Sequence, residues 1–349
     1  MKEIFAHRLK TARLIQGLSQ VDLAEKLAVS KQAISKYEHG QMLPDSKILL
    51  KMSQILGQKP DFFIRPVAVR MESVEFRKKS VLQGKNLTAV KARIASEIEC
   101  YLELEEILGI RETFSSPLQD FPIQHIDDVE KATLHVLQVW NLGFNPLPNV
   151  VEMLEHKAIK VVEIDAPPSF DGLSTIVKDG VPVIVLNKNF DVVRKRFTAL
   201  HELGHLLMTL PDGISYKQKE AFCHRFAGAM LIPKHIFIQE LGAKRYNVSV
   251  NELIKIKESY GISIAALVYR ANDLRVINDS SAKRFWKFRN GSVKRKKEIG
   301  WGSYKGQETS GRFEQLLYKA LAEELISWSK AASLANVEVA ELRKKFQVL

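Results

Sequence analysis

Cysteine is nearly missing from this 349-residue sequence: Cys100 and Cys223 are the only two. Two thiols give no disulfide framework, which excludes the stapled folds of small secreted proteins and suits a reducing compartment. Also missing is any run of about 18 apolar residues, the length a helix needs to cross a bilayer. The opening stretch, MKEIFAHRLKTARLIQGLSQ, is charged throughout and lacks the apolar core of an export signal. A cytoplasmic setting with no membrane partner is therefore expected. Acidic residues are the minority, 40 against 52 Lys and Arg, for a formal charge of +12. The excess is local. Residues 1–65 hold eleven basic and six acidic residues, and residues 274–305 hold ten and two; these give +5 and +8 and leave the rest near neutral. Positive charge gathered in two places points to a polyanion, usually nucleic acid, although the KRKK run in the second stretch also suits a solvated loop.

The apolar periodicity describes an α+β chain that is mostly helical. Four short helices are expected in residues 1–65, with Phe5, Leu9, Ala12 and Leu14 on the inner face of the first. Ser19 and Ser30 stand where N-caps of the second and third would be, and Gly40 and Gly57 where the third and fourth would stop. Residues 66–127 read as a charged, irregular linker (66–87) followed by one long amphipathic helix over 88–109. A domain over 128–275 begins with a helix near 128–141. Short β-branched runs follow at 159–164, 172–177 and 181–187, with Asp179-Gly180 marking a hairpin turn between the last two. Helices are expected at about 190–209, 216–230 and 250–273. Residues 276–349 read as a basic loop followed by a helical extension.

Within the helix near 190–209 lies TALHELGHLLM. His201 and His205 are four apart, so their side chains share one helical face. Two imidazoles so placed can fill two corners of a zinc tetrahedron, with Glu202 directed to the side where a bound water would sit. The alternative is an apolar core helix whose two histidines are satisfied by neighbours, since Ala199, Leu200, Leu203, Leu206 and Leu207 surround them. Burying both imidazoles without partners is costly, which favours the metal.

RFTALHELGHLLM followed by EAFCHRFAGAMLIP resembles the ImmA/IrrE family of zinc metallopeptidases. The likeness extends back through EMLEHKAIKVVEIDAPPSFDGLSTIV and VPVIVLNKN, and forward to about residue 275. It implies one Zn2+ per chain held by His201, His205 and Glu220, with Glu202 as general base. Manganese or iron fits the same donors. Where the family often has Ala-Asn, this chain has Cys223-His224; one to two turns past Glu220, both are read as packing rather than ligation. Tyr216, His224 and Tyr269 are candidates for steadying the oxyanion.

LKTARLIQGLSQVDLAEKLAVSKQAISKYEHGQMLPDSKILLKMSQILG resembles the helix-turn-helix domain of the Xre/Cro repressor family. Leu23, Ala24, Leu27, Val29 and Ile34 would pack the second helix on the third, leaving the start of the third free to enter a major groove. Lys31, Gln32 and Ser35 are the candidates for base edges, and Gln20 and Lys36 for phosphates. A four-helix domain used for protein contact is the alternative. The tail ETSGRFEQLLYKALAEELISWSKAASLANVEVAELRKKF resembles the C-terminal extension of proteins that join these two modules, and reads as a scaffold or oligomer contact.

Together the resemblances imply a DNA-binding transcriptional regulator carrying a zinc-dependent endopeptidase. It would cut a repressor-type protein, in trans or in its own linker, in stress response, mobile-element control or toxin–antitoxin settings. The expected partners are a double-stranded operator, a repressor or toxin protein, and a second copy, since operators are usually read by dimers. The runner-up is a non-proteolytic repressor or antitoxin whose metal domain senses or docks.

Overall fold

The second, third and fourth helices of the head each begin on a side chain that accepts a backbone N–H, and these caps fix where they start. In a computed structural model, which describes residues 1–67, 75–76, 84–177 and 180–346, α1 spans Lys2–Ile15, α2 Gln20–Leu27, α3 Lys31–Glu38 and α4 Ser46–Leu56. Ser19 and Asp22 form a reciprocal capping box at α2, Ser30 caps α3 and Asp45 caps α4. The turn between α2 and α3 places Ala28 in the left-handed region (φ 55°) and leaves Val29 to pack partly buried. The core joins Phe5, Leu9 and Ala12 to Leu23, Leu27, Ile34, Met52, Phe62 and Phe63. Leu14, expected on that face, is only half-buried, and Pro60–Ile64 adds a 3-10 turn. The chain divides into two compact units, and the first comprises 1–113, 175–181 and 311–349. Most of the predicted linker, 68–74 and 77–83, lies outside the described residues, as do Asp179 of the predicted hairpin turn and 347–349.

Strand β1 is the pair Glu75–Phe76, antiparallel to Thr175–Ile176. Helix α5 covers Gly84–Ile107. Its stripe of Ile94, Ile98, Tyr101 and Leu104 is buried inside its own unit. Arg8 of α1, itself fully buried, donates to Glu99 of α5 and to the Arg65 carbonyl at 3.0 Å. The apolar face that could have served as a dimer arm is thus already covered.

The second unit holds 114–174 and 182–310. Helices α6 (Asp128–Val139) and α7 (Val150–Glu155) precede β2 (Lys160–Ile164), β3 (Gly172–Ile176) and β4 (Pro182–Asn187). Strands β2 and β4 are parallel, with Lys160 opposite Val183 and Ile164 opposite Asn187, and β3 lies on the other side of β4. All six residues of β4 are buried, as a strand between neighbours and under helices should be. Then come α8 (Val192–Leu207), α9 (Tyr216–Leu231) and α10 (Lys234–Leu241). The single helix expected over 250–273 is two, α11 (Val250–Tyr260) and α12 (Ile264–Asp273), because Gly261 turns left-handed (φ 62°) at the end of α11. The basic stretch read as a loop is also helical: α13 (Asp279–Asn290) starts on the Asn278 cap and α14 (Val293–Lys296) follows. Its aromatics pack on one another, with Phe288 and Trp301 stacked at 6.2 Å, which pins the segment.

The tail, α15 (Arg312–Ala322), α16 (Trp328–Leu334) and α17 (Val339–Lys345), returns to the first unit. Leu316, Leu317 and Ala320 pack with Tyr101 and Leu104 of α5. Asn336 donates to the Gly57 carbonyl at 3.1 Å, tying the tail to the head. Among the described residues no helix is long and apolar enough to cross a membrane.

Candidate functional site

Two capped helices bring the candidate ligands together. Asp191 caps α8 by accepting from the Arg194 amide, and Ser215 and Gln218 form a capping box at α9. The helices press close because residue 204, inside the HELGH stretch, is glycine: a Cβ there would sit 3.3 Å from Phe226 Cδ1 and 3.4 Å from the Cys223 Cα. That approach sets Glu220 against the two imidazoles. The Nε2 atoms of His201 and His205 are 3.2 Å apart. Glu220 Oε2 lies 3.4 Å from His201 Nε2, and Glu220 Oε1 lies 3.2 Å from His205 Nε2. Among the described residues these three form the one His/Cys/Asp/Glu trio whose ligand atoms all fall within 4.8 Å of each other.

The donor set fits a divalent ion. Tetrahedral zinc with bonds of about 2.0–2.2 Å needs donor atoms about 3.4 Å apart. The two nitrogens, 3.2 Å apart, are at that spacing, and each has a different Glu220 oxygen near it, Oε2 at 3.4 Å from His201 and Oε1 at 3.2 Å from His205. Two neutral nitrogens and one carboxylate oxygen are also the chemistry such an ion takes.

Glu202 stands apart from the trio and is almost fully buried. Ser174 of β3 donates to its Oε2 at 3.1 Å. Gly172 makes room for it: a Cβ on residue 172 would fall 2.7 Å from Thr198 Cγ2, 2.8 Å from the Val185 carbonyl and 3.5 Å from Glu202 Cγ. The strand beside the motif helix thus has a polar hydroxyl and a bare backbone at the two places that face Glu202.

Cys223 and His224, read from sequence as packing, are closer to the site than that. The Cys223 sulfur, fully buried, lies 3.4 Å from His205 Nδ1. In the tautomer that offers Nε2 to a metal, Nδ1 would carry the hydrogen, and the sulfur is placed to accept it. His224 packs its ring 4.5 Å from that of His201 and stacks on Phe197 at 5.8 Å. Tyr216 and Tyr269 are both half-exposed. Neither Ser174 nor the role of Cys223 was evident in sequence, although Cys223 stands three residues after Glu220 and so shares its side of α9.

A buried ion network holds α9 from behind. Glu130 of α6 receives Arg270 at 2.9 and 3.0 Å and Arg225 at 3.2 Å. Burial pushes its carboxyl up, but the two guanidiniums outweigh that and hold it below the ordinary value. Asp273, 3.3 Å from Arg225, goes the other way: burial outweighs its cationic neighbours and raises it.

On the head, Lys31, Gln32 and Lys36 are exposed along α3. Ser35 is half-buried with its hydroxyl 3.4 Å from His39 Nδ1. Gln20 is less available than expected. Its amide donates to Glu38 at 2.8 Å, beside Arg13, which binds the same carboxylate at 2.6 and 3.0 Å.

Compared with known proteins, residues 9–63 match the helix-turn-helix family and residues 154–272 match the IrrE N-terminal-like domain, a peptidase family. Among curated relatives, the SPbeta prophage-derived uncharacterized HTH-type transcriptional regulator YonR of Bacillus subtilis is 42% identical over 62 residues, 18% of this chain and 57% of that protein. Multiprotein-bridging factor 1c of Arabidopsis thaliana is 37% identical over 51 residues, 15% of this chain and 34% of that protein. The uncharacterized HTH-type transcriptional regulator MJ0272 of Methanocaldococcus jannaschii is 41% identical over 59 residues, 17% of this chain and 89% of that protein. The chain thus spans little more than half of the first of these and a third of the second. It belongs to the Xre-type helix-turn-helix regulators, and its residues 154–272 are similar to the IrrE-like peptidase domain.

Proposed function

We propose that the protein is a transcriptional regulator that reads an operator through α3 and hydrolyses a repressor-type protein with its second unit. His201, His205 and Glu220 hold one zinc ion, and Glu202 is the general base. The reading rests above all on Glu202, a buried carboxylate beside the trio and outside it, for which a purely structural metal site has no use. A bound zinc ion would polarise a peptide carbonyl and bring the pKa of its water from about 15.7 toward 7. Ser174 donates to Oε2 of Glu202, and the carboxylate would take a proton from water and return it to the leaving amine. Cys223 holds the His205 ring in the tautomer that offers Nε2. Lys31, Gln32 and Ser35 address base edges, while Gln20 and Lys36 address phosphates. DNA reading by a second copy bound as a homodimer, and stress-response, mobile-element or toxin–antitoxin settings, complete the proposal.

Glu202→Gln tests it. The variant should keep its zinc, measured by elemental analysis, and lose about 10²–10⁴-fold in cleavage of a repressor-type substrate. Regulation that survives Glu202→Gln intact would favour the non-proteolytic alternative, a repressor or antitoxin with a sensing domain.

A further inference from the structure

Helices α8 and α9 pass each other in levels one turn apart. His205 faces Glu220, His201 faces His224, and one turn further Phe197 and Gly228 line the same cleft. That cleft, about 240 Å³, is lined by His224, whose ring packs 4.5 Å from that of the candidate ligand His201. Phe197, Ala266 and Tyr269 make its apolar walls. Glycine at 228 leaves it open, since a Cβ there would meet only the Arg270 side chain, at 3.4 Å. The cleft's own charges are matched: Arg225 to Asp273 at 3.3 Å and Arg270 to Glu130 at 2.9 Å. What it offers is a flat apolar slot.

Phe197 and Ala266 also line a second cavity, about 900 Å³, so the two adjoin. Its charge balance is different. Arg194 is paired with Asp171 at 2.5 Å and Lys257 with Glu298 at 2.9 Å, while the acid Asp191 serves as the α8 cap. Arg289, Lys296 and Lys297 also line it, and no ion pair to them is found among the described residues. A trough with three cations to spare attracts anionic segments.

We propose that this slot and trough form the substrate channel, and that its occupant is an acidic peptide segment with an aromatic or bulky apolar residue beside the scissile bond. The apolar side chain enters between Phe197, His224 and Tyr269, and the carboxylates that follow lie along Arg289, Lys296 and Lys297. This rests on the peptidase reading above and adds the class of sequence it acts on.

The experiment uses the full-length, zinc-loaded Glu202→Gln protein and fluorescein-labelled peptides, read by anisotropy. The peptides carry phenylalanine or glycine followed by either glutamates or lysines. The phenylalanine–glutamate peptide should bind at least about tenfold tighter than either single change, as burial of one aromatic side chain allows. Lys296→Glu with Lys297→Glu, both on the exposed surface, should invert the preference for flanking charge and leave the phenylalanine preference intact. Phe197→Ala should weaken only the latter. Equal binding of all four peptides, an unchanged charge preference in the double variant, or displacement of the acidic peptide by a short DNA duplex would overturn the channel. Failure of the hydrolase reads differently: the binding pattern holds, yet the wild-type protein cleaves none of the four.

Discussion

Removing the Glu308 carboxylate should cost the second unit a large part of its stability, and the structure says how much. Glu308 and Arg196 are both fully shielded from water and form an ion pair. The carboxylate also accepts the first amides of α7, Val150 N–H at 3.0 Å and Val151 N–H at 2.9 Å. Glu308→Ala leaves the guanidinium without its counter-charge, a loss of about 3–5 kcal/mol when a buried pair is broken. Two helix N-terminal donors lose their acceptor as well, at about 1–3 kcal/mol each if they stay dry. Against this, Arg196 keeps the Leu147 carbonyl at 2.7 Å, and water can enter the vacated space. A net loss of about 4 kcal/mol is expected. Burial pushes the Glu308 carboxyl above its ordinary value in spite of Arg196 and the two amides. Glu308→Gln leaves the guanidinium without its counter-charge too but keeps the shape and an oxygen for the α7 amides, so it should lose less than Glu308→Ala. Urea unfolding followed by tryptophan fluorescence is the assay. Three of the four tryptophans, Trp140, Trp286 and Trp301, belong to the second unit, so the signal reports mainly on it. A Glu308→Ala loss under about 1 kcal/mol would refute the reasoning, because neither an orphaned cation nor two bare amides comes so cheaply.

Three further outcomes follow from the site and its supports. Cys223→Ala should weaken zinc binding about 10–100-fold in competition with a chelator, since the sulfur orients the His205 ring; unchanged affinity would return Cys223 to plain packing. Glu130→Gln should destabilise at neutral pH, and the sign with pH is fixed. A carboxyl held low in the fold contributes stability above its unfolded pKa and loses it as pH falls through the folded one, so the gap between variant and wild type should close in acid; a gap that widens there contradicts the pairing with Arg270 and Arg225. On DNA selected from random sequence, Gln32→Ala should cost about 1–3 kcal/mol and relax one position, whereas Lys36→Ala should weaken all sequences alike and flatten the salt dependence.

Local signals carried most of what could be read from sequence. Caps at Ser19 and Ser30 and the four-residue spacing of His201 and His205 are properties of single helices, and spacing alone expresses them. The resemblance to a known family, not spacing, picked out Glu220. Long-range partners left no trace. Ser174 reaches Glu202 from 28 residues away, Glu308 reaches Arg196 from 112, and Glu99 reaches Arg8 from 91. Each pairing depends on where a strand or a tail comes to rest. The basic stretch 274–305 reads as a loop in sequence because its composition is that of a solvated surface, whereas in the structure the Asn278 cap starts a helix and most of 279–296 is helical. Gln20 reads as free for phosphate because the sequence does not reveal that Glu38 claims its amide.

Helix α5 and its partner α15 are neighbours in space but separated in the chain by the whole of the second unit. During synthesis the face of α5 that carries Tyr101 and Leu104 must wait, uncovered, until α15 has left the ribosome. The same arrangement makes α5 and α15 into a clasp: a chain cut once between 182 and 310 would yield two fragments that still grip one another through those helices.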